Sequence, residues 1–168
     1  MVVLVLSILI GFPVYIAAEE TLGKEMLVNG DFEQGNPPEK WATAFDVVLS
    51  QDINPHSGKY CLKIVYQQEG KGGYARQDVY PVPGKKYKLT LWYKCEPGST
   101  IRIAMYDHTN GKNLSPEHKT DYIWTKHEKT ITIPAGCKSA GVLLYPFGTG
   151  SIVWCDDVSF REIEEATD

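Results

Sequence analysis

The sequence predicts an all-β sandwich in a single domain, and three observations carry that prediction. From Met26 onward, short runs rich in Val, Ile, Thr and aromatic residues recur between clusters of Gly, Pro, Asn and Asp. Within the runs apolar and polar residues alternate, the period of a strand with one buried face. No segment sustains the 3.6-residue period of an amphipathic helix. At 168 residues and 43% hydrophobic content, the chain fills one core and is short for two domains.

Strands are expected, in order, over 42–51 with an interruption, 60–66, 73–79, 86–94, 101–106, 126–133, 140–145 and 152–160. Each is bounded by a breaker: Asn54-Pro55, the glycines of 70–73, Pro83-Gly84, Pro97-Gly98, Asn110-Gly111, Pro134-Ala135-Gly136 and the glycines of 148–150. The longest connection, 107–122, is polar, carries His108 and His118, and reads as a loop. Its Asn113-Leu114-Ser115 triplet is formally a glycosylation sequon, with Pro116 directly after it.

Residues 1–18 carry no charge and end in Ile16-Ala17-Ala18, which reads as a signal peptide, with a retained N-terminal anchor as the competing reading. Either places the domain, 26–162, outside the cytoplasm as a secreted or extracellular protein, with 163–168 as an acidic tail. The four cysteines lack the Cys-x-x-Cys spacing of a zinc site. Alternation turns Cys61 and Cys155 outward, so a Cys61–Cys155 bridge is expected if their strands are neighbours, leaving Cys95 with Cys137; four free or partly buried thiols are the competing reading. A formal charge of -4 without a basic cluster excludes nucleic acid as the expected partner.

Two acidic motifs stand at opposite ends of the domain, Asn29-Gly30-Asp31-Phe32-Glu33 and Asp156-Asp157-Val158-Ser159-Phe160. Neither holds a Lys or Arg to neutralise its carboxylates, and calcium is the simplest compensation, since it takes carboxylate and carbonyl oxygens together; a metal-free, hydrogen-bonded arrangement is the competing reading. Counting by twos from Phe160 and Val158 puts Asp156 and Trp154 on the inward side and Asp157 outward. Asp156 is therefore the first choice of ligand, with Glu33 and Asp31 contributing from the other motif and Asp157 as the fallback.

These motifs, a Gly-containing stretch ending in Trp41, His56-Ser57-Gly58-Lys59-Tyr60, Pro83-Gly84-Lys85-Lys86-Tyr87 and Trp124 before a strand follow an order that resembles the carbohydrate-binding modules of families four, nine, sixteen and twenty-two. The resemblance covers about 26–160. It implies a jelly-roll sandwich of the galactose-binding-domain type, a non-catalytic module of the kind associated with glycoside hydrolases, and structural calcium whose shell is completed by carbonyls of the turn ending at Lys59. It also implies packing roles for Trp41 and Trp124.

Sugars stack on flat aromatic rings while planar polar groups take their hydroxyls. Alternation turns Trp92, Tyr106, Tyr145 and Tyr74 away from the core, with Arg76 and Arg102 among them. If their strands share a sheet, these six residues line one glycan-binding groove. The expected partner is a polysaccharide or oligosaccharide, with a glycoside hydrolase or cell-surface component beside it and a monomeric state. Affinity is expected at about -4 to -8 kcal/mol, millimolar to micromolar.

Two alternatives stand. The first is an enzyme: a glycoside hydrolase using paired carboxylates, or a jelly-roll lyase using Arg102, Tyr106 and His108, although its Gln-x-His motif is missing. The second is a structural or adhesion module without a sugar site. His56 is read as fixing a turn.

Overall fold

The computed structural model describes residues 20–67, 73–148 and 150–164, and the signal or anchor segment lies outside them. Eleven strands and no helix are found among the described residues: β1 (Thr21–Glu25), β2 (Ala42–Ala44), β3 (Val47–Asp52), β4 (Cys61–Tyr66), β5 (Tyr74–Val79), β6 (Lys86–Cys95), β7 (Thr100–Asp107), β8 (Lys112–Lys119), β9 (Thr125–Thr132), β10 (Ala140–Phe147) and β11 (Ile152–Glu164). They form two antiparallel sheets, β3-β4-β11-β6-β9 with β1 also on β11, and β2-β5-β10-β7-β8.

Alternation builds the core between the sheets. Tyr87, Leu89, Leu91 and Tyr93 of β6 and Leu62, Ile64 and Tyr66 of β4 are buried on one side. Ile101, Ile103 and Met105 of β7 meet them with Val142 and Leu144 of β10. Gln77 is a buried polar exception, and its amide is satisfied by the Val28 backbone, accepting at 2.7 Å and donating at 2.8 Å.

Three features differ from the sequence expectation. The polar connection holds β8, an edge strand that contains Pro116 and a register shift opposite β7. Edge position tolerates a residue that cannot donate to a ladder. The sandwich also gains β1 ahead of residue 26, and Ile163 and Glu164 of the expected tail belong to β11, paired with Leu22 and Thr21; residues 165–168 lie outside the described residues.

The third feature is a bulge in β11 between Asp156 and Ser159, where Asp157 has a φ of 49°. One extra residue reverses the parity of everything before it. Val158 and Phe160 face the core as expected, but so do Val153 and Cys155, while Trp154 turns to the outer surface. Asp156 is buried not in the core but on the outer face, beneath the 55–60 turn.

The same reversal removes the expected Cys61–Cys155 bridge, and distance removes the other. β4 and β11 are neighbours, but Cys155 points into the core while Cys61 lies outside it, its thiol against the carbonyls of Asp52 and Asn54. Cys95 ends β6 near Ser99, whereas Cys137 sits beside Asp107 at the far end of β7, about 23 Å away along an eight-residue strand. All four thiols are free and buried, and burial pushes Cys61 up to about 12 and Cys95 and Cys137 to about 11.

β4 leaves β11 at Cys155 and β1 joins it at Arg161, on the same side. The gap between them is filled by the Asn29–Glu33 motif. Gly30 accepts from the Val158 amide at 2.9 Å, and the Asn29 side chain holds Gln34 and Glu39. Phe32 enters the core against Trp41, ring centroids 5.2 Å apart, and the Trp41 indole donates to the Asn29 carbonyl, so Trp41 packs as expected. Below the gap, Glu25 accepts from the Leu27 and Phe160 amides, Ser159 and Arg161. Burial works to raise its pKa, and these hydrogen bonds hold it below the usual carboxylate value.

The edges β8 and β9, one from each sheet, are joined by Glu117, which pairs with Lys129 at 2.8 Å and Lys119 at 2.9 Å. Those two lysines hold its carboxyl at about 2, against 4.5 ordinarily. A carboxylate with a lowered folded value stabilises above its unfolded value and loses that contribution as pH falls through the folded one. Glu117→Gln is therefore expected to lower stability at pH 7 by about 0.5–1 kcal/mol, the size of a partly exposed pair. The gap from wild type should close between about pH 4.5 and 2, as urea titrations at several pH values will show.

Candidate functional site

Outward residues on β5, β10 and β7 form transverse rows, because these strands are hydrogen-bonded neighbours. Register places Tyr145 beside Arg102 and Arg102 beside His118; Leu143 lies between Arg76 and Ala104, and Gly141 between Asp78 and Tyr106. Tyr74 stands against Tyr145 with centroids 4.7 Å apart, and Phe45, 60% exposed, meets Tyr74 edge-on at 6.3 Å. Tyr106 and His108 rise on the other side, 5.3 Å apart. Between these walls lies a depression of about 260 Å³ lined by Phe45, Tyr74, Arg76, Tyr106, His108, Leu143 and Tyr145.

Its polar end is ordered. Asp78 pairs with Arg76 at 3.2 Å and with the His108 ring at 2.9 Å, holding both planar groups in place. Gly141 is what leaves them room, since a Cβ there would stand 2.9 Å from Asp78 and 3.0 Å from the His108 nitrogen. A glycine inside a strand is the signal that sequence reading could have used to find this spot. Burial pushes the Tyr145 phenol up. The lining offers ring faces and donors, and the carboxylate beside it, Asp78, is taken up by Arg76 and His108, so the two-acid pair of a glycoside hydrolase is not assembled there among the described residues.

Of the six residues expected to share a groove, five do share one sheet face: Tyr74, Arg76, Arg102, Tyr106 and Tyr145. Trp92 does not. It points outward as expected, but from β6 in the opposite sheet. There the His56 ring lies flat on it at 3.8 Å, Lys94 lies over Trp124 at 4.6 Å, and Lys63 and Lys94 sit over Trp154 at 5.6 and 5.0 Å. These indoles are overlaid by cations and an imidazole rather than presented as open platforms. Trp124, expected in packing, belongs to this partly exposed array.

The acidic motifs meet at the seam on that outer face. Glu33 accepts from the Lys59 and Tyr60 amides at 2.6 and 3.0 Å, Asp156 from the His56 and Ser57 amides at 2.8 and 3.1 Å, and Asp157 bonds the His56 ring and Ser57 hydroxyl at 2.8 Å each. His56 fixes the turn, as expected. Burial, with Asp157 adding to it, pushes the Asp156 carboxyl up to about 6, while the Tyr60 and Lys59 amides lower Glu33. Asp31 stands apart, exposed, lining a shallow depression with Glu25, Asp157 and Arg161.

As a calcium site this cluster fits in charge: three carboxylates face one turn and none pairs with Lys or Arg among the described residues. In ligand number it is short, because no three His, Cys, Asp or Glu side chains among those residues stand close enough to hold an ion unaided. Carbonyls of the turn, Lys59 included, would have to supply the rest.

Comparison with solved structures gives the fold independently. The CBM22-1 xylan-binding domain of Paenibacillus barcinonensis Xyn10C superposes with a TM-score of 0.65 at 15% identity, covering 89% of this chain and 99% of that one. TmCBM61, solved with β-1,4-galactotriose, gives 0.61 at 20% identity over 85% and 100%. A family 4 carbohydrate-binding module gives 0.61 at 15% over 80% and 98%. No curated protein sequence matches the chain. The sequence model of the family described as a carbohydrate binding domain matches residues 24–148, from within β1 to the end of β10, and the chain belongs to that family.

Proposed function

We propose that this protein is a secreted, non-catalytic module that binds a polysaccharide or oligosaccharide along the β5-β10-β7 face. The observation that carries the reading is the Phe45, Tyr74 and Tyr145 row beside a recessed floor and oriented polar groups, on the fold of modules described as xylan-binding or solved with galactotriose. Such an arrangement stacks on pyranose faces and reads hydroxyls through Arg76, His108 and Tyr106. The uncharged stretch 1–18 supports export.

Affinity electrophoresis against xylan, β-glucan, galactan and mannan tests it. Retardation by at least one polymer is expected, and Trp92→Ala should leave it unchanged, because Trp92 lies in the other sheet. Retardation by none, or its loss in Trp92→Ala, would refute the assignment to this face.

The seam is proposed to take calcium through Glu33, Asp156 and turn carbonyls. Its binding would join the first motif, the 55–60 turn and β11, and a ligand at about 100 times its Kd stabilises by about 2.7 kcal/mol. Melting in about 1 mM calcium is expected at least about 5 °C above melting in chelator. Coincident curves would show that the amides alone close the seam.

A further inference from the structure

Resting on the sugar-binding reading, the structure assigns a charge to the glycan: we propose that Arg102 recognises the carboxylate of a uronic acid substituent on an otherwise neutral chain. The two arginines of the face differ in one respect. Arg76 is neutralised by Asp78 at 3.2 Å, and Asp78 is itself shared with His108. Arg102 has no ion pair among the described residues, and its Nε is buried there without a hydrogen-bond acceptor. The covered Nε is out of a ligand's reach, so a counter-charge from outside can be met only by the Nη groups, which are not among the buried unpaired atoms.

The surroundings fit that partner. Arg102 projects from β7 between Tyr145 on β10 and His118 on β8. Its guanidinium carbon stands 5.6 Å from the Tyr145 ring centre, and that ring is backed by Tyr74. A guanidinium beside that ring can offer its paired Nη donors to the two oxygens of a carboxylate in a bidentate fork. A sugar stacked on Tyr145 would therefore carry its acidic neighbour or branch onto Arg102. The net charge of -4 opposes dense polyanions at long range, which favours a sparsely charged glycan over a polyuronate.

The test uses glucuronoxylan, xanthan and a glucuronate-bearing arabinogalactan, each beside its own carboxyl-reduced form, with binding measured by affinity electrophoresis and calorimetry. For at least one pair, wild type is expected to bind the acidic polymer about tenfold more tightly than the reduced one. Arg102→Gln should bring the acidic form down to the level of the reduced form and leave the reduced form within about twofold. Arg102→Lys, which keeps the charge and loses the fork, should fall between. Equal wild-type binding to both members of every bound pair overturns the carboxylate assignment alone. Equal weakening of both members by Arg102→Gln also overturns it, by showing that Arg102 only props Tyr145. Binding to none of the six polymers overturns it together with the sugar reading beneath it. Matching thermal melts of the variants and wild type exclude misfolding as the cause of any loss.

Discussion

Gly30→Ala is expected to reduce stability by on the order of 4 kcal/mol, enough to leave the chain largely unfolded at 37 °C. A Cβ at this position would lie 2.0 Å from the Val158 carbonyl oxygen and 3.1 Å from its carbon. Both are backbone atoms of the β11 bulge, so no rotamer change relieves the clash, and separation breaks the 2.9 Å bond from the Val158 amide to Gly30. It would also displace Asn29, whose side chain holds Gln34 and Glu39, and Phe32, which has no exposed surface. Gly84→Ala is the matched control: its φ of +83° brings strain, but nothing lies within 4 Å of a Cβ there. That variant should lose only about 1–2 kcal/mol. Urea midpoints of the two variants and wild type measure the difference, and a wild-type midpoint for Gly30→Ala would mean that the seam does not close as described.

Tyr145→Ala is expected to weaken glycan binding by about 2 kcal/mol, roughly thirtyfold, and to bring a millimolar interaction below detection. The ring sits at the centre of the aromatic row, and its removal deprives Tyr74 and the Arg102 guanidinium of their common neighbour. Truncation of such a residue loses its own contact and the order of those beside it. Tyr145 lies on the outer surface of its sheet and is only partly buried, so the fold should persist and a thermal melt close to wild type should accompany the loss. Tyr145→Phe keeps the stacking surface and should stay within about threefold of wild type. Calorimetry on the best polymer of the panel decides, and unchanged affinity for Tyr145→Ala would remove this face from consideration.

Alternation was a dependable guide to which side of its own strand a residue occupies. It placed Leu62 and Ile64 inward and Tyr74, Arg76, Arg102, Tyr106 and Tyr145 outward, because one buried face forces a period of two. It carries no information on which sheet a strand joins, and this is why Trp92, outward like Tyr145, was grouped with rings on the opposite surface. Parity also fails across an inserted residue. Asp157 takes a left-handed conformation that nothing in the Asp-Asp pair announces, and the count behind it misplaced Trp154 and the cysteine bridge together. β8 was illegible for a third reason: an edge strand is permitted the polar, proline-containing sequence that elsewhere marks a loop. The acidic motifs were legible as halves of one seam because unneutralised carboxylates require partners, although the donors found there are amides of the turn.

The order of strands bears on how the chain reaches its native state. β11 lies between β4 and β6 in one sheet, and β10 lies between β5 and β7 in the other. During synthesis the earlier strands emerge first, and one edge each of β4, β5, β6 and β7 stays unpaired until β10 and β11 follow. Five of the nine strand pairings among the described residues therefore wait on these two strands, and neither layer is continuous until both have joined, which puts closure on the millisecond-to-second scale of non-local β topologies.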